Sequence, residues 1–172
     1  MDDNKKYVKR IVFLNQSRRK LSAMNPATAS ASSDDFSWEE DLSEDLRMYN
    51  EEWEKSGGFD IDFSKLRHKF ETGAVDLDDD NLVHDPDDTN LALLTRLTNL
   101  AISYHKNETG ISLEFVRVLK ANYHPSAGVT YYITFEANDT SDGNHKTKQY
   151  QAVVRYLPCD TQVISCWPKP SC

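Results

Sequence analysis

ISLEFVRVLKANYHPSAGVTYYITFEA, residues 111–137, decides the fold. Its first half is dense in β-branched and aromatic residues. Its second half alternates, with Val129, Tyr131, Ile133 and Phe135 falling on one face. A period of two belongs to a strand with one buried side. Between the halves stands His124-Pro125-Ser126-Ala127-Gly128, whose proline and glycine interrupt both patterns and predict a hairpin loop. Two strands joined so closely must lie antiparallel and adjacent.

The same logic extends outward. NDTSDGNH, residues 138–145, is a turn cluster, and KTKQYQAVVRYL after it alternates Tyr150, Ala152, Val154 and Tyr156 as a further strand. PCDT turns again, and QVISCW is a last short strand. Upstream, LALLTRLTNLAISYHKN carries Leu94, Leu97, Ala101 and Tyr104 at helical spacing. Thr89 or Asn90 can cap its start, and Asn107 to Gly110 can end it. One helix and a meandering antiparallel sheet bury each other's apolar faces, so the class is α+β, with about four strands wrapped around one helix.

The wording of LTNLAISYHKNETGISLEFVRVLKANYHPSAG resembles plant cystatins. Leu97, Ala101, Ile102 and His105 match that family's helix pattern L-A-R-F-A-V-x-E-H-N. Leu113 to Val118 repeats its strand L-E-F-V-R-V, and Gly128 falls on the glycine of its loop Q-x-V-x-G. The resemblance runs from about residue 89 onward, and the acidic leader resembles those of plant cystatin-related proteins. It implies a cystatin-like fold over 89–172 and reversible, steric inhibition of papain-like cysteine proteases. No catalytic residue, cofactor or metal is implied. The family's wedge has three parts: a glycine-bearing N-terminal trunk, loop 1, and a second hairpin loop bearing Pro-Trp.

Carried over by position, the contact residues are His124, Pro125, Ser126, Ala127 and Gly128 in loop 1, and Pro158 and Cys159 in loop 2. Here the chain departs from the pattern. His124 stands for glutamine, Ser126 for valine, and Cys159 for tryptophan. Exchanging a buried valine for serine costs roughly 1–2 kcal/mol. A tryptophan hot spot is often worth about 2 kcal/mol or more. The residues just before the helix are acidic, with no glycine after Gly73, and aspartates resist desolvation in a cleft. Combined losses above about 4 kcal/mol would weaken inhibition roughly a thousandfold. The expected function is therefore weak protease inhibition. The alternative is a non-inhibitory interaction module on the same fold.

The rest of the chain divides by charge. Residues 1–33 are basic and then small and polar, which reads as a disordered tail. KKYVKRIVFLNQSRRK resembles a bipartite nuclear localisation signal, against the plainer reading of a solvated basic tail. Residues 34–88 form an acidic extension. Within it Trp38, Leu42, Leu46, Tyr49 and Trp53 make an amphipathic helix over about 38–55, capped by Ser37 and Glu40 and stopped by Gly57 and Gly58. That stripe either packs on the chain's own folded part or docks a protein partner. Phe59, Ile61 and Phe63 alternate with acids and predict a short extended segment. Asp76, Asp78 and Asp80 imitate the first ligands of a calcium loop, but Asn81, Pro86 and Asp87 spoil the remainder.

Several function classes are excluded by pattern. No apolar run approaches the roughly 20 residues of a membrane span. The N-terminus lacks the apolar core of a secretory signal, so the protein is expected in the cytoplasm, the nucleus or both. Cys159, Cys166 and Cys172 are an odd set and read as reduced thiols; Asn15, Asn107 and Asn138 then begin glycosylation triplets without consequence. His68, His84, His105, His124 and His145 are scattered and none has metal-ligand spacing, so no enzyme or metal site is expected; His105 reads as structural. With a net charge of -8, nucleic-acid binding is not expected either.

Overall fold

The structure, a computed structural model, describes residues 34–78, 89–141, 146–157 and 159–170. Its elements in chain order are α1 (Asp34–Ser56), β1 (Gly73–Ala74), α2 (Asn90–Thr109), β2 (Leu113–Ser126), β3 (Gly128–Asp139), β4 (Thr147–Tyr156) and β5 (Gln162–Pro168). The chain divides into two compact units, one ending at His68 and one beginning at Lys69.

In the second unit, Thr89 wins the competition to cap α2: its side chain accepts from the Ala92 amide at 3.1 Å. Gly110 closes the helix in a left-handed conformation, its amide bonding the Lys106 carbonyl at 2.8 Å. The buried face of α2 is Leu93, Leu94, Leu97, Thr98, Ala101 and His105. His105 takes the place expected of Tyr104, which is half-buried, because the core-facing stripe drifts at 3.6 residues per turn. His105 Nδ1–H donates to the Cys166 carbonyl at 3.2 Å, and its ring meets Tyr150 edge-on at 5.7 Å. Its role is to tie α2 to β5 and β4.

The sheet has five antiparallel strands in sequential order, β1-β2-β3-β4-β5. Its helix-facing side carries Val118, Ala121, Tyr131, Ile133, Phe135, Ala137, Tyr150, Ala152 and Val154, which form one core with α2. Tyr131, Ile133 and Phe135 lie on the face their alternation requires, and Val129 packs at its margin. Two register shifts in β2, between Phe115 and Arg117 and between Val118 and Lys120, raise the local twist and let a long hairpin wrap one helix.

The fifth strand is a difference from the expected four. Gly73 pairs with Tyr123 and Ala74 with Asn122, the Val75 amide bonds the Ala121 carbonyl at 2.8 Å, and the Thr72 hydroxyl bonds the Tyr123 carbonyl at 2.7 Å. Two residues are too few to show alternation. They become a strand because the edge of β2 offers unpaired backbone groups.

In the first unit, α1 spans the expected helix and begins earlier. Tyr49 and Trp53 are 6% exposed, so this half of the stripe is covered and not a free docking face. Leu42 and Leu46 are half-buried, and the side chain of Trp38 lies outside the described ones. Tyr49 meets Trp53 at 5.7 Å and Phe63 at 6.5 Å. Phe63 to Lys65 form a 3-10 turn where an extended segment was expected. The cause is Asp62, whose Oδ1 accepts from the Ser64 amide at 3.1 Å and from its hydroxyl at 2.6 Å, a local bond that outcompetes extension. Asp45 is fully buried, its Oδ2 accepting from the His68 amide at 2.8 Å and lying 2.9 Å from the His68 Nδ1. Burial alone would raise its pKa, but the bonds from the His68 side chain and the His68 and Arg67 backbones outweigh that and hold it low.

Candidate functional site: the hairpin end of the sheet

The five-residue loop expected at His124 to Gly128 is mostly strand. β2 continues through Ser126, β3 resumes at Gly128, and Ala127 alone forms the apex. His124 opposes Thr130, Pro125 opposes Val129, and Ser126 opposes Gly128. Pro125 is tolerated because the register of β1 stops at Tyr123, leaving β2 an edge strand from there on. Pro125, Ser126 and Ala127 are exposed, while His124 and Gly128 are half-buried.

Gly128 has φ +100°. A Cβ there would overlap the Tyr156 carbonyl oxygen and lie 2.8 Å from Leu157 Cγ. The residue is thus required twice, for its backbone conformation and for its close approach to the end of β4. That approach holds the β2–β3 apex against the β4–β5 turn. Across the other side of the hairpin, the Thr130 hydroxyl donates to the Ser126 hydroxyl oxygen at 3.0 Å. Burial lowers the pKa of His124, which favours its neutral ring.

The β4–β5 turn is fastened from within. The Asp160 amide and the Thr161 hydroxyl both donate to the Leu157 carbonyl, at 3.1 and 2.9 Å. The Asp160 carboxylate accepts from Arg155 at 3.2 Å and from the Gln162 amide group at 3.1 Å. Cys159 is an exposed free thiol in this turn. Pro158, the other expected contact residue, lies outside the described residues. Cys166 is a second free thiol, half-buried, and burial pushes its pKa up to about 12. Cys159 and Cys166 are not joined.

The third element at this end is β1. Since β1 runs antiparallel to β2, the residues before Gly73 head toward the loop 1 apex. Gly73 lies under the Tyr123 ring, where a Cβ would come within 3.2 Å of Cε1. The segment beside loop 1 is therefore Thr72-Gly73-Ala74. The acidic run that was expected to replace a glycine-bearing trunk lies further along the chain, between β1 and α2. Sequence reading missed Gly73 because it sought the trunk immediately before the helix. The T-G-A-V wording between acids was the available signal.

Beneath the loops sits a tyrosine cluster. Tyr131 is 2% exposed, its ring 6.5 Å from that of Tyr156, and its hydroxyl has no hydrogen-bond partner among the described residues. Burial, with smaller contributions from Tyr156 and Tyr123, pushes its pKa up to about 12.

Of the calcium-like run, Asp76 and Asp78 are described. The Asp76 carboxylate accepts from the Asp78 amide at 3.0 Å, and the Asp76 carbonyl accepts from Asn90 at 2.8 Å. Asp80, Asn81, Pro86 and Asp87 lie outside the described residues, as do His84 and His145. Among the described residues there is no group of three or more acidic, histidine or cysteine side chains placed to hold a metal ion. No helix among them is long and apolar enough to cross a membrane.

The family model of the cystatin domain matches residues 82–165. The match spans α2 through most of β5 and includes both hairpin loops, while β1 lies just ahead of it. No curated protein matches the sequence. Residues 82–165 are thus similar to a cystatin domain.

Proposed function

We propose that this chain is a reversible, non-enzymatic inhibitor of papain-type cysteine proteases, and a weak one. The observation that carries the reading is the alignment of three elements at one end of the sheet: Gly73 on β1, the Ala127 apex, and the turn after Leu157. A protruding, pre-ordered edge suits a cleft because little ordering entropy is lost on docking. Gly128 locked against Tyr156 and Leu157 supports such pre-ordering.

Weakness follows from the side chains on offer. The described tips present Ser126, Ala127 and Cys159, all exposed and small. A contact edge without a large apolar anchor lacks the feature that usually dominates binding energy. The Gly73 placement supports a more complete wedge than the sequence promised, because no aspartate need enter the cleft with the trunk. The same small tips also favour the second reading, a cystatin-fold interaction module without inhibitory activity. The L-E-F-V-R-V strand and the acidic leader support a plant-type member.

Inhibition of papain by the full chain, and by a shortened chain beginning at Lys69, tests this. Micromolar or tighter, competitive inhibition by either supports the inhibitor. A folded protein that leaves papain untouched at high micromolar concentration supports the module instead.

A further inference from the structure

We infer that Thr130 is a positioning residue for the loop 1 apex, an inference that rests on the inhibitor reading above. The apex is one residue long, so its shape depends on how its two flanks are held. The Gly128 flank is held by the close approach to Tyr156 and Leu157. The Ser126 flank is exposed, and beyond Ser126 the ladder ends. There the Thr130 hydroxyl reaches along the hairpin and donates to Ser126 Oγ at 3.0 Å.

The two ends of this bond differ in a useful way. Thr130 is 6% exposed and lies between two neighbouring strands, paired with His124 on one side and Arg155 on the other. Its β-branched side chain has few rotamers, so the donor is rigid before the bond forms. Ser126 is exposed and would otherwise sample several rotamers. The bond selects one, and it turns the Ser126 oxygen back toward the sheet. What remains at the apex is the Ser126 Cβ and the Ala127 methyl. An apolar, single-conformer tip docks with less desolvation and less ordering than a free hydroxyl would. Thr130 thereby compensates in part for serine at the position where the family has valine.

The test uses the full chain with Thr130→Val, which keeps the shape and loses the hydroxyl, and Thr130→Ser, which keeps the hydroxyl. Papain inhibition and amide exchange at Ala127 and Gly128 are measured on each, with melting temperature as the fold check. One hydrogen bond corresponds to about a three- to tenfold effect. T130V is expected to inhibit about three- to tenfold more weakly and to exchange faster at the apex, with T130S restoring both. S126A loses the same tie and should exchange at the apex as fast as T130V, but it carries no free hydroxyl and should inhibit no worse than the parent; adding T130V to S126A should change neither readout further. Inhibition by T130V equal to the parent, or T130S as weak as T130V, overturns the inference. If the parent itself does not inhibit, the inhibitor reading falls, and apex exchange then decides the inference alone: rates unchanged in T130V overturn it.

Discussion

Replacing Gly128 by alanine tests the idea that loops 1 and 2 form one rigid edge. At φ +100° an L-residue is strained, at a cost of about 1–3 kcal/mol. The added Cβ would also overlap the Tyr156 carbonyl oxygen, which is backbone and cannot rotate away, and approach Leu157 Cγ to 2.8 Å. Relieving such overpacking typically costs about another 1–3 kcal/mol. The expected total is about 2–6 kcal/mol. Gly110 is the internal control. It has φ +76°, but a Cβ there meets nothing within 4 Å, so Gly110→Ala should cost only the backbone part. Urea unfolding of both variants, followed by circular dichroism, gives the comparison at matched conditions. In thermal unfolding each kcal/mol lowers the midpoint by about 4–8 °C for a unit of this size. G128A should also weaken papain inhibition beyond its loss of folded fraction, because relief of the clash pushes the two loops apart. If G128A is as mild as G110A, within about 0.5 kcal/mol, the close approach at Tyr156 is not a constraint and the rigid-edge reasoning fails.

Further expectations follow from single groups. Tyr131→Phe removes a buried hydroxyl without a partner, so it should be neutral or stabilise by up to about 1 kcal/mol, and a clear loss in urea unfolding would refute the orphaned hydroxyl. Because the folded pKa of Tyr131 is raised from 10 to about 12, its contribution to stability is complete below pH 10 and is lost as pH climbs toward 12. Alkaline titration of stability should therefore fall less steeply in Y131F. For His124 the sign is opposite: its folded pKa lies below 6.5, so the unfolded chain binds the extra proton and stability falls on acidification through that value. His124→Gln should flatten the change in urea midpoint between neutral and mildly acid pH, and an unchanged slope would count against burial as the cause. Cys159→Trp places an aromatic anchor on loop 2 and should tighten papain inhibition by roughly 30-fold, the equivalent of about 2 kcal/mol. No change in the inhibition constant would mean loop 2 stays out of the cleft.

Much of this molecule was readable from residue order alone. The alternation of Tyr131, Ile133 and Phe135, the spacing of Leu94, Leu97 and Ala101, and the punctuation by Gly110 and HPSAG set the elements of the second unit. Those are local signals with periods of 2 and 3.6, and burial of one face enforces them. The sequence likewise placed the candidate contact residues at hairpin ends and marked their departures from the family pattern. What it could not show depends on groups far apart in the chain. β1 exists because Gly73 and Ala74 meet Asn122 and Tyr123 across some 50 residues, and a two-residue strand has no periodicity of its own. The five-residue loop contracted to the single residue Ala127 because hydrogen-bond register, not composition, decides where a strand ends. Asp45 became a buried acid on an apolar stripe because His68 came to meet it. Gly128 was legible as a turn glycine from its place between two strand patterns; the backbone oxygen of Tyr156, brought within contact by sheet pairing, is the physical reason that no larger residue fits.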